Sequence, residues 1–540
     1  MRTTTQGTSA RTGAEILIEV LREENTRHVF GNPGTTELPL IRNLVGRTDI
    51  EYVLGLQEAS VVAMADGYAR VTGRPAFVNL HAAAGLGNGI GALTNAMAAG
   101  VPMVVTAGQQ DLRHLFHRPV LAGDLVGLAG PTVKWAHEVT GRHELGEALR
   151  RAFLLAQAPP AGPVFLSLPM NLLDEPGPEA PGATRVRFAS AAPVEELAAR
   201  LAATPRAQTA LVLCDELARQ APEEGLALAE TLGVAVWGSA WPATNPFPTA
   251  HPLWRGYLPA HTTGIREALA PYRLVLVTGS GALRRYFPYA PGPLLPEGTR
   301  IVQITEDPAE PGRDAPAEEV LHGQLRPTLR RLLDLLSASA STPAGPPLPR
   351  RVTVPTPSEG FDMAAMSQAV AKALPRDVLV MDESPQASRH LRAALRLDRA
   401  GRYQWVSGGL GWAMPAAIGA CLAGEREPVL CAVGDGAAMY SPQALWTAAH
   451  LRLPIGFLVA NNREYGILKD NWPVHRPGSE RFLGLDLSRP PIDYVSLADS
   501  MGVPARRVTD AATLSTAIED GLATGGPFLV EAVLDARPDA

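Results

Sequence analysis

Short apolar runs alternate with amphipathic stretches along most of this chain. Short apolar runs bounded by polar or glycine-rich segments are typical of buried strands, and apolar residues at every third or fourth position are typical of helices. Strands that alternate with helices predict a parallel sheet with helices on both faces. We therefore expect an α/β fold of doubly wound parallel sheets. The predicted strands include His28–Phe30, Ala76–Leu80, Val101–Thr106, Val164–Leu168, Thr209–Leu213, Val234–Trp237, Leu274–Thr278, Arg300–Thr305, Val429–Val433 and Ile455–Ala460, and the predicted helices include Glu15–Glu23, Ala59–Arg70, Leu145–Gln157 and Ser441–Leu451.

Two segments divide the chain, which at 540 residues is too long for a single hydrophobic core. One is rich in proline and glycine, from Glu175 to Thr184, and the other is a low-complexity stretch from Ser337 to Pro357. The sequence therefore predicts three domains, at residues 12–174, 190–337 and 358–535. A Gly-Leu-Gly triplet at 85–87 returns at 409–411, which suggests that the first and third domains have a similar design.

The most informative segment joins two of the predicted strands. The strand that ends at Val433 continues into Gly434-Asp435-Gly436, and the strand that starts at Ile455 continues into Asn461-Asn462. A right-handed strand–helix–strand crossover brings the carboxyl ends of both strands to one edge of a parallel sheet. We therefore expect Asp435 and Asn462 to lie side by side. Carboxylate and amide oxygens next to helix-start N–H groups suit a hard divalent cation that also holds a diphosphate.

This segment resembles the thiamine-diphosphate motif, in which GDG is followed after about thirty residues by NN. Other segments resemble the same family, in the order pyrimidine-binding domain, middle domain and diphosphate-binding domain, over nearly the whole chain. The NPG turn, NLHAAAG, AGQQ and ALWTAA are most similar to the benzoylformate decarboxylase branch. The matching segments are FGNPGTTE (30–37), QEA (57–59), ADGYAR (65–70), NLHAAAG (79–85), AGQQ (107–110), SGGLG (407–411) and ALWTAA (444–449).

The resemblance implies thiamine diphosphate and Mg²⁺ as cofactors and assigns residues to them. Glu58 is the candidate carboxylic acid for the pyrimidine ring, and its apolar flanks favour a buried, protonated form. Leu410 is the candidate bulky residue that supports the bent cofactor. Pro385 and Gln386 stand where relatives often carry small hydroxyl residues. The implied metal ligands are Asp435, Asn462 and the backbone carbonyl of Glu464, and the implied cofactor-binding residues are Pro33, Gly34, Ser384, Gly409, Leu410, Gly434, Gly436, Ala437, Tyr465, Gly466 and Ile467.

The resemblance also assigns residues to the substrate. His81 is implied in substrate carboxylate binding or proton transfer, and Thr35 fills the place of a hydroxyl residue that holds the carboxylate. Ile467, Leu468 and Phe287 are expected to line the pocket and suggest an apolar or aromatic acyl group. Asp470 and Asn471 are more polar than the aromatic pair expected in this branch, which leaves open a polar ring substituent or a different acyl chain.

Phe287 is the main departure from the branch, because the relatives carry a second active-site histidine in the matching segment. A phenyl ring transfers no proton, and a positioned acid or base is worth roughly 10²–10⁴ in rate. Two consequences remain open. Either the enzyme favours carbon–carbon ligation, or another acid such as His114 or His117 reaches the site.

The leading hypothesis is the non-oxidative decarboxylation of an aromatic or apolar, benzoylformate-like 2-oxo acid to an aldehyde and carbon dioxide. The alternative is a carboligase or lyase that makes or cleaves hydroxyketones, as benzaldehyde lyase and acetolactate synthases do. A cofactor-retaining protein that works by binding alone is a third hypothesis. A nicotinamide dehydrogenase is the last one, but no GxGxxG opens a helix with an acidic residue about twenty positions later.

Composition narrows the possible partners. A formal charge of −6 without a basic stripe argues against nucleic acid, and we find no apolar run long enough to span a membrane. The three cysteines, Cys214, Cys421 and Cys431, sit in apolar contexts, so we expect free buried thiols and a cytoplasmic protein. The resemblance implies at least a homodimer, and a dimer of dimers, because the family's pyrimidine and diphosphate halves meet between subunits. Acetolactate synthases bind FAD in the middle domain; we see no strong nucleotide fingerprint here and expect no FAD.

Overall fold

Three six-stranded parallel sheets form the framework of the protein. We describe them from a computed structural model, which covers residues 11–184, 186, 190–286, 290–314, 317–338, 352–358, 360–406, 408–475 and 482–535. The predicted α/β class with three parallel sheets is confirmed. Within these ranges, none of the helices combines the length and the apolar character that crossing a bilayer requires.

The first sheet consists of β1 (His28–Gly31), β2 (Glu51–Leu54), β3 (Ala76–Leu80), β4 (Met103–Gln109), β5 (Ala136–Glu138) and β6 (Pro163–Pro169). Its helices are α1 (Gly13–Glu23), α2 (Leu38–Leu44), α3 (Glu58–Thr72), α4 (Ala82–Ala98), α5 (Leu125–Ala129), α6 (Leu145–Gln157) and α7 (Met170–Asp174), with 3₁₀ turns at Thr35–Glu37, Leu115–His117 and Gly130–Thr132. The strand order is β2-β1-β3-β4-β6-β5. Since this order reverses between β1 and β3, the loops after these two strands flank a crevice, the topological switch point.

The middle sheet consists of β7 (Thr209–Leu213), β8 (Ala235–Gly238), β9 (Trp254–Tyr257), β10 (Leu274–Thr278), β11 (Arg300–Thr305) and β12 (Glu319–His322). Its helices are α8 (Glu195–Ala203), α9 (Asp215–Gln220), α10 (Pro222–Leu232), α11 (Thr262–Leu269) and α12 (Leu325–Ala338), with a 3₁₀ turn at Arg206–Gln208. The strand order β12-β11-β10-β7-β8-β9 is that of dinucleotide-binding domains, and it places the switch point between β7 and β10.

The third sheet consists of β13 (Leu379–Glu383), β14 (Tyr403–Trp405), β15 (Val429–Gly434), β16 (Ile455–Asn461), β17 (Ala505–Val508) and β18 (Phe528–Val533). The helices are α13 (Met363–Ala373), α14 (Ser388–Ala394), α15 (Ala413–Ala423), α16 (Asp435–Ala438), α17 (Ala444–Leu451), α18 (Gly466–His475), α19 (Tyr494–Ser500) and α20 (Ala511–Ala523). The strand order β14-β13-β15-β16-β18-β17 repeats that of the first sheet position by position.

Two details of the prediction differ from the structure. The helix expected from Ser441 begins at Ala444, because residues 441–446 make the tighter hydrogen bonds of a turn, such as Ala444 N to Ser441 O at 3.1 Å. The Gly-Leu-Gly triplets are not equivalent, since Gly85 and Gly87 lie inside α4 whereas residues 409–411 precede α15. The common strand order, and not this repeat, shows the similar design.

The chain separates into two compact units that differ from the predicted domains. One unit consists of Met1–Val186, Ser407–Glu427 and Ala438–Leu453, and the other consists of Arg187–Val406, Pro428–Ala437 and Pro454–Ala540. Helices α15 and α17 therefore belong to the unit of the first sheet, although the third sheet's strands surround them in sequence. The domain bounds 12–174, 190–337 and 358–535 stay a prediction.

Helices α3 and α15 cross inside the first unit at two glycines. A Cβ at Gly67 would overlap the carbonyl oxygen of Ala416, and a Cβ at Gly419 would overlap the carbonyl oxygen of Met64. The two contacts mirror each other, so the helices pack backbone against backbone about a local two-fold axis. Glycine is needed at both positions because only it leaves room for this approach.

A buried ion pair lies beside this crossing. Asp66 Oδ1 accepts hydrogen bonds from Arg70 Nε at 2.6 Å and from Trp412 Nε1 at 2.8 Å. The Arg70 guanidinium also lies 4.6 Å from the centroid of the Trp412 ring, close enough for a cation–π contact. The start of α15 is thereby held to α3, the helix that begins at Glu58.

Candidate active site

The predicted site residues gather at the switch points of the first and third sheets. In the first sheet they follow β1 and β3 or begin α3, and in the third sheet they follow β13, β15 and β16. We call Thr35, Glu37, Glu58 and His81 the first half-site, and Gln386, Asp435, Asn462 and Glu464 the second half-site. The first half-site lies in the first compact unit and the second half-site in the other.

Glu58 is fixed at the first position of α3. The preceding Gln57 caps the helix by accepting a hydrogen bond from Ser60 N at 3.0 Å. The Glu58 carboxylate accepts hydrogen bonds from Asn32 Nδ2 at 3.3 Å and from Asn88 Nδ2 at 3.0 Å. The apolar flanks predicted a buried side chain, but Glu58 is half-buried in the single chain, because it stands at the helix start and the buried positions begin with Ser60.

His81 lies directly after β3, against the Pro33-Gly34-Thr35 turn. A Cβ at Gly34 would overlap the imidazole ring, so the backbone of the turn packs on the ring. Thr35 and Pro33 are exposed in the single chain. The structure therefore places Gly34 against the His81 ring, and Thr36 Oγ1 lies 3.1 Å from His81 Nδ1; the role of Thr35 stays a prediction.

Glu37 is a buried carboxylate next to His81 that the sequence analysis missed. Its side chain is 1% exposed, and Oε2 lies 2.8 Å from His81 Nδ1. Gly34 N donates to Oε2 at 2.9 Å, Gly108 N donates to Oε1 at 3.0 Å, and the Thr36 hydroxyl donates to Oε1 at 2.6 Å. Motif spacing gives no signal for Glu37; the only hint is an acid at the end of a turn that leads into an apolar helix.

Leu410 lies on a segment that Asn95 fixes. Gly409 N donates to Asn95 Oδ1 at 2.7 Å, and Asn95 Nδ2 donates to Gly409 O at 2.8 Å. Asn95 is buried and Leu410 is half-buried in the single chain. The paired hydrogen bonds fix the backbone that presents Leu410, and no sequence pattern predicted this role for Asn95.

Asp435 is the most strongly perturbed acid of the second half-site. It follows β15, begins α16 and is 5% exposed. Gly436 N donates to Oδ1 at 2.8 Å and Arg463 N donates to Oδ2 at 2.6 Å, while the Tyr494 hydroxyl holds the Asp435 carbonyl at 2.7 Å. Burial nevertheless raises the pKa of Asp435 to about 6, because the ionised form is poorly solvated there. The carboxylate would therefore gain from a nearby cation.

The two asparagines after β16 have different roles. Asn461 Nδ2 donates to Glu531 Oε1 at 2.7 Å, which ties β16 to β18. Asn462 Nδ2 donates to Gln386 Oε1 at 2.8 Å, and Asn462 Oδ1 accepts from Glu464 N at 3.2 Å. The chain thus places Asn462, and not Asn461, in the second half-site, beside a glutamine to which the sequence analysis gave no role.

The set of ligands is poor in acids. Among the described residues no three His, Cys, Asp or Glu side chains form a group that fits a metal ion. A cation here would rely on Asp435, the Asn462 amide, a backbone carbonyl and oxygens from outside the chain. Such an all-oxygen set suits Mg²⁺, which keeps several non-protein ligands and binds together with phosphates.

Several predicted phosphate contacts are already used inside the chain. The Ser384 hydroxyl is buried and donates to Asp382, which also accepts from Ser388 Oγ at 2.5 Å and from Tyr403. Tyr465 N donates to Leu485 O at 2.9 Å. In the single chain both donors are therefore used internally, and the contacts of Ser384 and Tyr465 with a diphosphate stay a prediction.

The remaining predicted residues lie around the start of α18. Gly466 packs against Gln386 and Asn462, and Gly436 packs against the Tyr465 ring, because a Cβ at either glycine would overlap these groups. Gly434 has open space around it, and Ala437 is buried. Ile467 is half-buried and Leu468 is 48% exposed in the single chain.

Within the described residues, neither of the alternative proton donors, His114 or His117, is placed at the first half-site by a hydrogen bond. Phe287 lies outside the described residues. His114 and His117 are exposed on the loop after β4, beside the 3₁₀ turn Leu115–His117. Asp470 is exposed as well, and Gln386 Nε2 donates to its carboxylate at 2.9 Å.

The switch point of the middle sheet is occupied by the chain's own acids. Glu216 Oε1 accepts from Ser280 N at 3.2 Å, and Glu310 Oε1 accepts from Gly281 N at 2.6 Å. These backbone N–H groups follow β10 and border the crevice at this switch point. Burial raises the pKa of both carboxyl groups. The absence of FAD stays a prediction, which this arrangement supports.

Comparisons with known proteins identify the family. Residues 11–121, 194–332 and 386–532 match the N-terminal TPP binding, central and C-terminal TPP binding domains of thiamine pyrophosphate enzymes. Benzoylformate decarboxylase of Pseudomonas aeruginosa is 37% identical over 95% of this chain and 97% of its own length. The chain belongs to the thiamine pyrophosphate enzyme family.

Solved structures of similar proteins cover the whole molecule. A thiamine diphosphate-dependent 4-hydroxybenzoylformate decarboxylase from Rhodococcus jostii RHA1 matches with a TM-score of 0.90 and 34% identity, over 98% of this chain and 100% of that one. Benzoylformate decarboxylase from Polynucleobacter necessarius matches with a TM-score of 0.89 and 30% identity over the same shares. The predicted resemblance to the benzoylformate decarboxylase branch is confirmed.

Proposed function

We propose that this enzyme catalyses the thiamine-diphosphate-dependent, non-oxidative decarboxylation of an aromatic or apolar 2-oxo acid to an aldehyde and carbon dioxide. The observation that carries the proposal is that both half-sites are present on one chain that aligns with benzoylformate decarboxylase over 95% of its length. The relatives named for benzoylformate and 4-hydroxybenzoylformate point to an aryl-glyoxylate substrate.

The second half-site fits a cation that carries a diphosphate. Asp435, with its pKa raised to about 6 by burial, Asn462 and the carbonyl of Glu464 would hold Mg²⁺. The bridge between Glu464 and Asp486 is made by Arg463 O and Tyr465 N, so it holds the 463–465 backbone in place. Thiamine diphosphate, when bound, would supply a nucleophilic thiazolium carbon for the ketone and a ring that serves as the electron sink for decarboxylation.

The first half-site would hold the pyrimidine ring and manage protons. Glu58, supported by Asn32 and Asn88, would donate its carboxyl proton to a ring nitrogen of the pyrimidine. His81 and the Thr35 hydroxyl would bind the substrate carboxylate, and His81 would deliver a proton to the substrate carbon after decarboxylation.

The acyl pocket combines apolar and polar side chains. Ile467 and Leu468 would contact the aryl ring, whereas Phe287, which the sequence also predicts for this pocket, lies outside the described residues. Asp470, hydrogen-bonded to Gln386, lies three residues beyond Ile467 on the same helix, so a ring with a polar substituent such as a hydroxyl group suits this pocket. We therefore include 4-hydroxybenzoylformate among the test substrates.

We further propose that the enzyme is at least a homodimer, and a dimer of dimers, and that it works in the cytoplasm. In the single chain Pro33 and Thr35 are exposed and Glu58 is half-buried, which supports a second copy that covers the first half-site. The second half-site of that copy would then complete the site. The three cysteines are free and buried, as a reducing compartment allows.

The test is carbon dioxide release from benzoylformate and 4-hydroxybenzoylformate by protein supplied with thiamine diphosphate and Mg²⁺. Glu58→Gln is the inactive variant, and Glu51→Gln, on β2 of the same sheet, is the matched control. We expect cofactor-dependent release that Glu58→Gln lowers by roughly 10²–10⁴ and Glu51→Gln leaves unchanged.

Product analysis with added benzaldehyde separates the decarboxylase from the alternative. An aldehyde as main product supports the proposal. A hydroxyketone formed or cleaved without net carbon dioxide release would contradict it and identify a carboligase. Cofactor binding without any turnover of 2-oxo acids or aldehydes would instead favour a protein that works by binding alone.

A further inference from the structure

The hydrogen bonds of the Glu37 carboxylate bear on the protonation of its neighbour His81. Four hydrogen bonds reach its carboxylate, from Gly34 N, Gly108 N, Thr36 Oγ1 and His81 Nδ1. The two backbone groups can only donate, and the Thr36 hydroxyl lies close enough to donate as well. Hydrogen bonds donated to a carboxylate favour its charged form over its neutral form.

The tautomer of His81 follows from this arrangement. Because Gly34 N, Gly108 N and Thr36 Oγ1 already donate to the two Glu37 oxygens, we assign the proton in the 2.8 Å contact to His81 Nδ1. The same nitrogen lies 3.1 Å from Thr36 Oγ1, which can accept from it as well. Nε2 then lies on the far side of the ring with its lone pair free of Glu37. The His81 side chain is 23% exposed, so this nitrogen has a route to a substrate.

The ring also has little freedom to turn. Gly34 packs on one face so closely that a Cβ would overlap the imidazole. Gly108 approaches Glu37 and Thr36 equally closely. Two glycines thus bring backbone N–H groups and the imidazole onto one carboxylate, which is the arrangement of an acid–imidazole dyad.

We propose that Glu37 is a positioning residue for His81. It holds the Nδ1–H tautomer and stabilises the imidazolium that forms when Nε2 takes up a proton. The Nε2 proton passes to the substrate carbon from which carbon dioxide has left, and solvent replaces it. The inference rests on the proposed function, and it assigns the protonation of the substrate carbon to the Glu37–His81 dyad.

A double-mutant cycle separates positioning from structural support. Glu37→Gln keeps the size of the side chain but brings an NH₂ group among donors, so one of them loses its acceptor. We expect kcat/KM to fall roughly 100–1,000-fold in the wild-type background. In a His81→Ala background the same change should cost less than about threefold, because residues that act as a unit are strongly non-additive.

Two further variants keep the test decisive. Glu37→Asp retains the charge and should lose clearly less than Glu37→Gln, with a rising limb in the pH profile that Glu37→Gln lacks. Glu138→Gln removes a carboxylate of the same sheet that accepts from Gln109 and Ser167 and should stay within about threefold of wild type. Equal losses for Glu37→Gln in both backgrounds, or for Gln and Asp, would overturn the proposal.

A readout without turnover distinguishes this inference from the proposed function. Diethyl pyrocarbonate acylates the free lone pair of a neutral imidazole, and mass spectrometry of the full-length protein reports the rate at His81. We expect wild type to react at least about tenfold faster than Glu37→Gln, in which the Nδ1 lone pair faces the amide. Equal rates would overturn the inference, whereas normal labelling without any decarboxylation would overturn only the proposed function.

Discussion

The first and third sheets have the same strand order, but the buried acids near their switch points have different hydrogen-bond partners. Glu37, after β1, receives four hydrogen bonds, one of them from an imidazole. Asp435, after β15, receives backbone N–H groups from Gly436 and Arg463 and has its pKa raised to about 6. One acid is fully satisfied within the chain, and the other is short of positive charge.

This difference separates the contribution of the fold from the contribution of the loop residues. The fold decides that loops after the equivalent strands β3 and β15 border a crevice. The residues on these loops decide its use: His81 follows β3, and Asp435 follows β15. The half-site whose acid contacts an imidazole suits the handling of protons, and the half-site whose buried acid has a raised pKa suits a cation with its diphosphate.

The largest effect should come from Asp435→Asn. Loss of this carboxylate removes the one charged ligand of the proposed Mg²⁺ site. We expect Mg²⁺-dependent binding of thiamine diphosphate, measured by isothermal titration calorimetry, to weaken by at least roughly 100-fold, because even outer-shell metal contacts are worth 10–100-fold. Asp520→Asn, which removes an exposed partner of Arg506, should bind normally. Unchanged affinity in Asp435→Asn would place the cation elsewhere.

Glu58→Gln should break the opposite half-site and give the opposite pattern. Cofactor binding should stay within about threefold of wild type, while kcat falls roughly 10²–10⁴ because a proton donor to the cofactor is lost. The measurement pairs calorimetry with carbon dioxide release on the same preparation. A variant that loses binding and turnover together would show that Glu58 holds the cofactor rather than activating it.

Much of this comparison was accessible from the sequence, for reasons that particular residues show. The alternation of apolar strands and helices predicted the three sheets, and the crossover rule placed Asp435 beside Asn462 because both follow adjacent parallel strands. The strand orders did not follow from local patterns. Neither did Glu37 and Asn95, whose roles depend on partners 44 and 314 positions away.

The same limit explains where the predicted contacts differ from the structure. Ser384 carries a hydroxyl at a suitable position, but the hydroxyl donates to Asp382. Sequence spacing does not tell which way such a side chain points. Glu58 was expected to be buried, and it is half-buried in the single chain. In the proposed homodimer a second copy would complete its environment, and no intrachain pattern reports such a contact.

Gly419→Ala tests the close crossing of helices α3 and α15 within the first compact unit. The added Cβ would overlap the Met64 carbonyl oxygen, a backbone atom that cannot move alone. We expect a loss of about 2–4 kcal/mol in the free energy of unfolding, measured with urea. Gly424→Ala, where the nearest atom lies at 3.5 Å and φ is −88°, should stay within about 1 kcal/mol. Equal stability of the two variants would contradict the close crossing.

His28→Leu should have the smallest effect, and only in acid. Burial lowers the pKa of His28 from 6.5 to about 4, with smaller contributions from Arg27 and Arg426; Glu51 lies 3.6 Å away. At a pH between these two values, His28 binds a proton in the unfolded chain but not in the folded chain. Stability therefore rises with pH through this window and is lost as pH falls from 6.5 towards 4.

The equivalent strand β13 begins with Leu379, so the variant makes the first sheet resemble the third. We expect His28→Leu to unfold at the same temperature as wild type near pH 7, and to gain about 2–3 kcal/mol relative to wild type at pH 4.5. Thermal denaturation at both pH values checks this. Parallel pH curves for the two proteins would show that His28 does not drive the acid sensitivity.

The most direct test of the account is complementation between Glu58→Gln and Asp435→Asn chains. Each variant alone should be inactive, since one half-site is broken in every copy. If the first half-site of one chain works with the second half-site of another, a mixed dimer contains one site with both defects and one site with none. Co-expression and purification of the mixed species through two affinity tags should then restore up to about half of the wild-type carbon dioxide release per dimer. Mixed dimers as inactive as their parents would contradict the account and would place both halves of each site in the same chain.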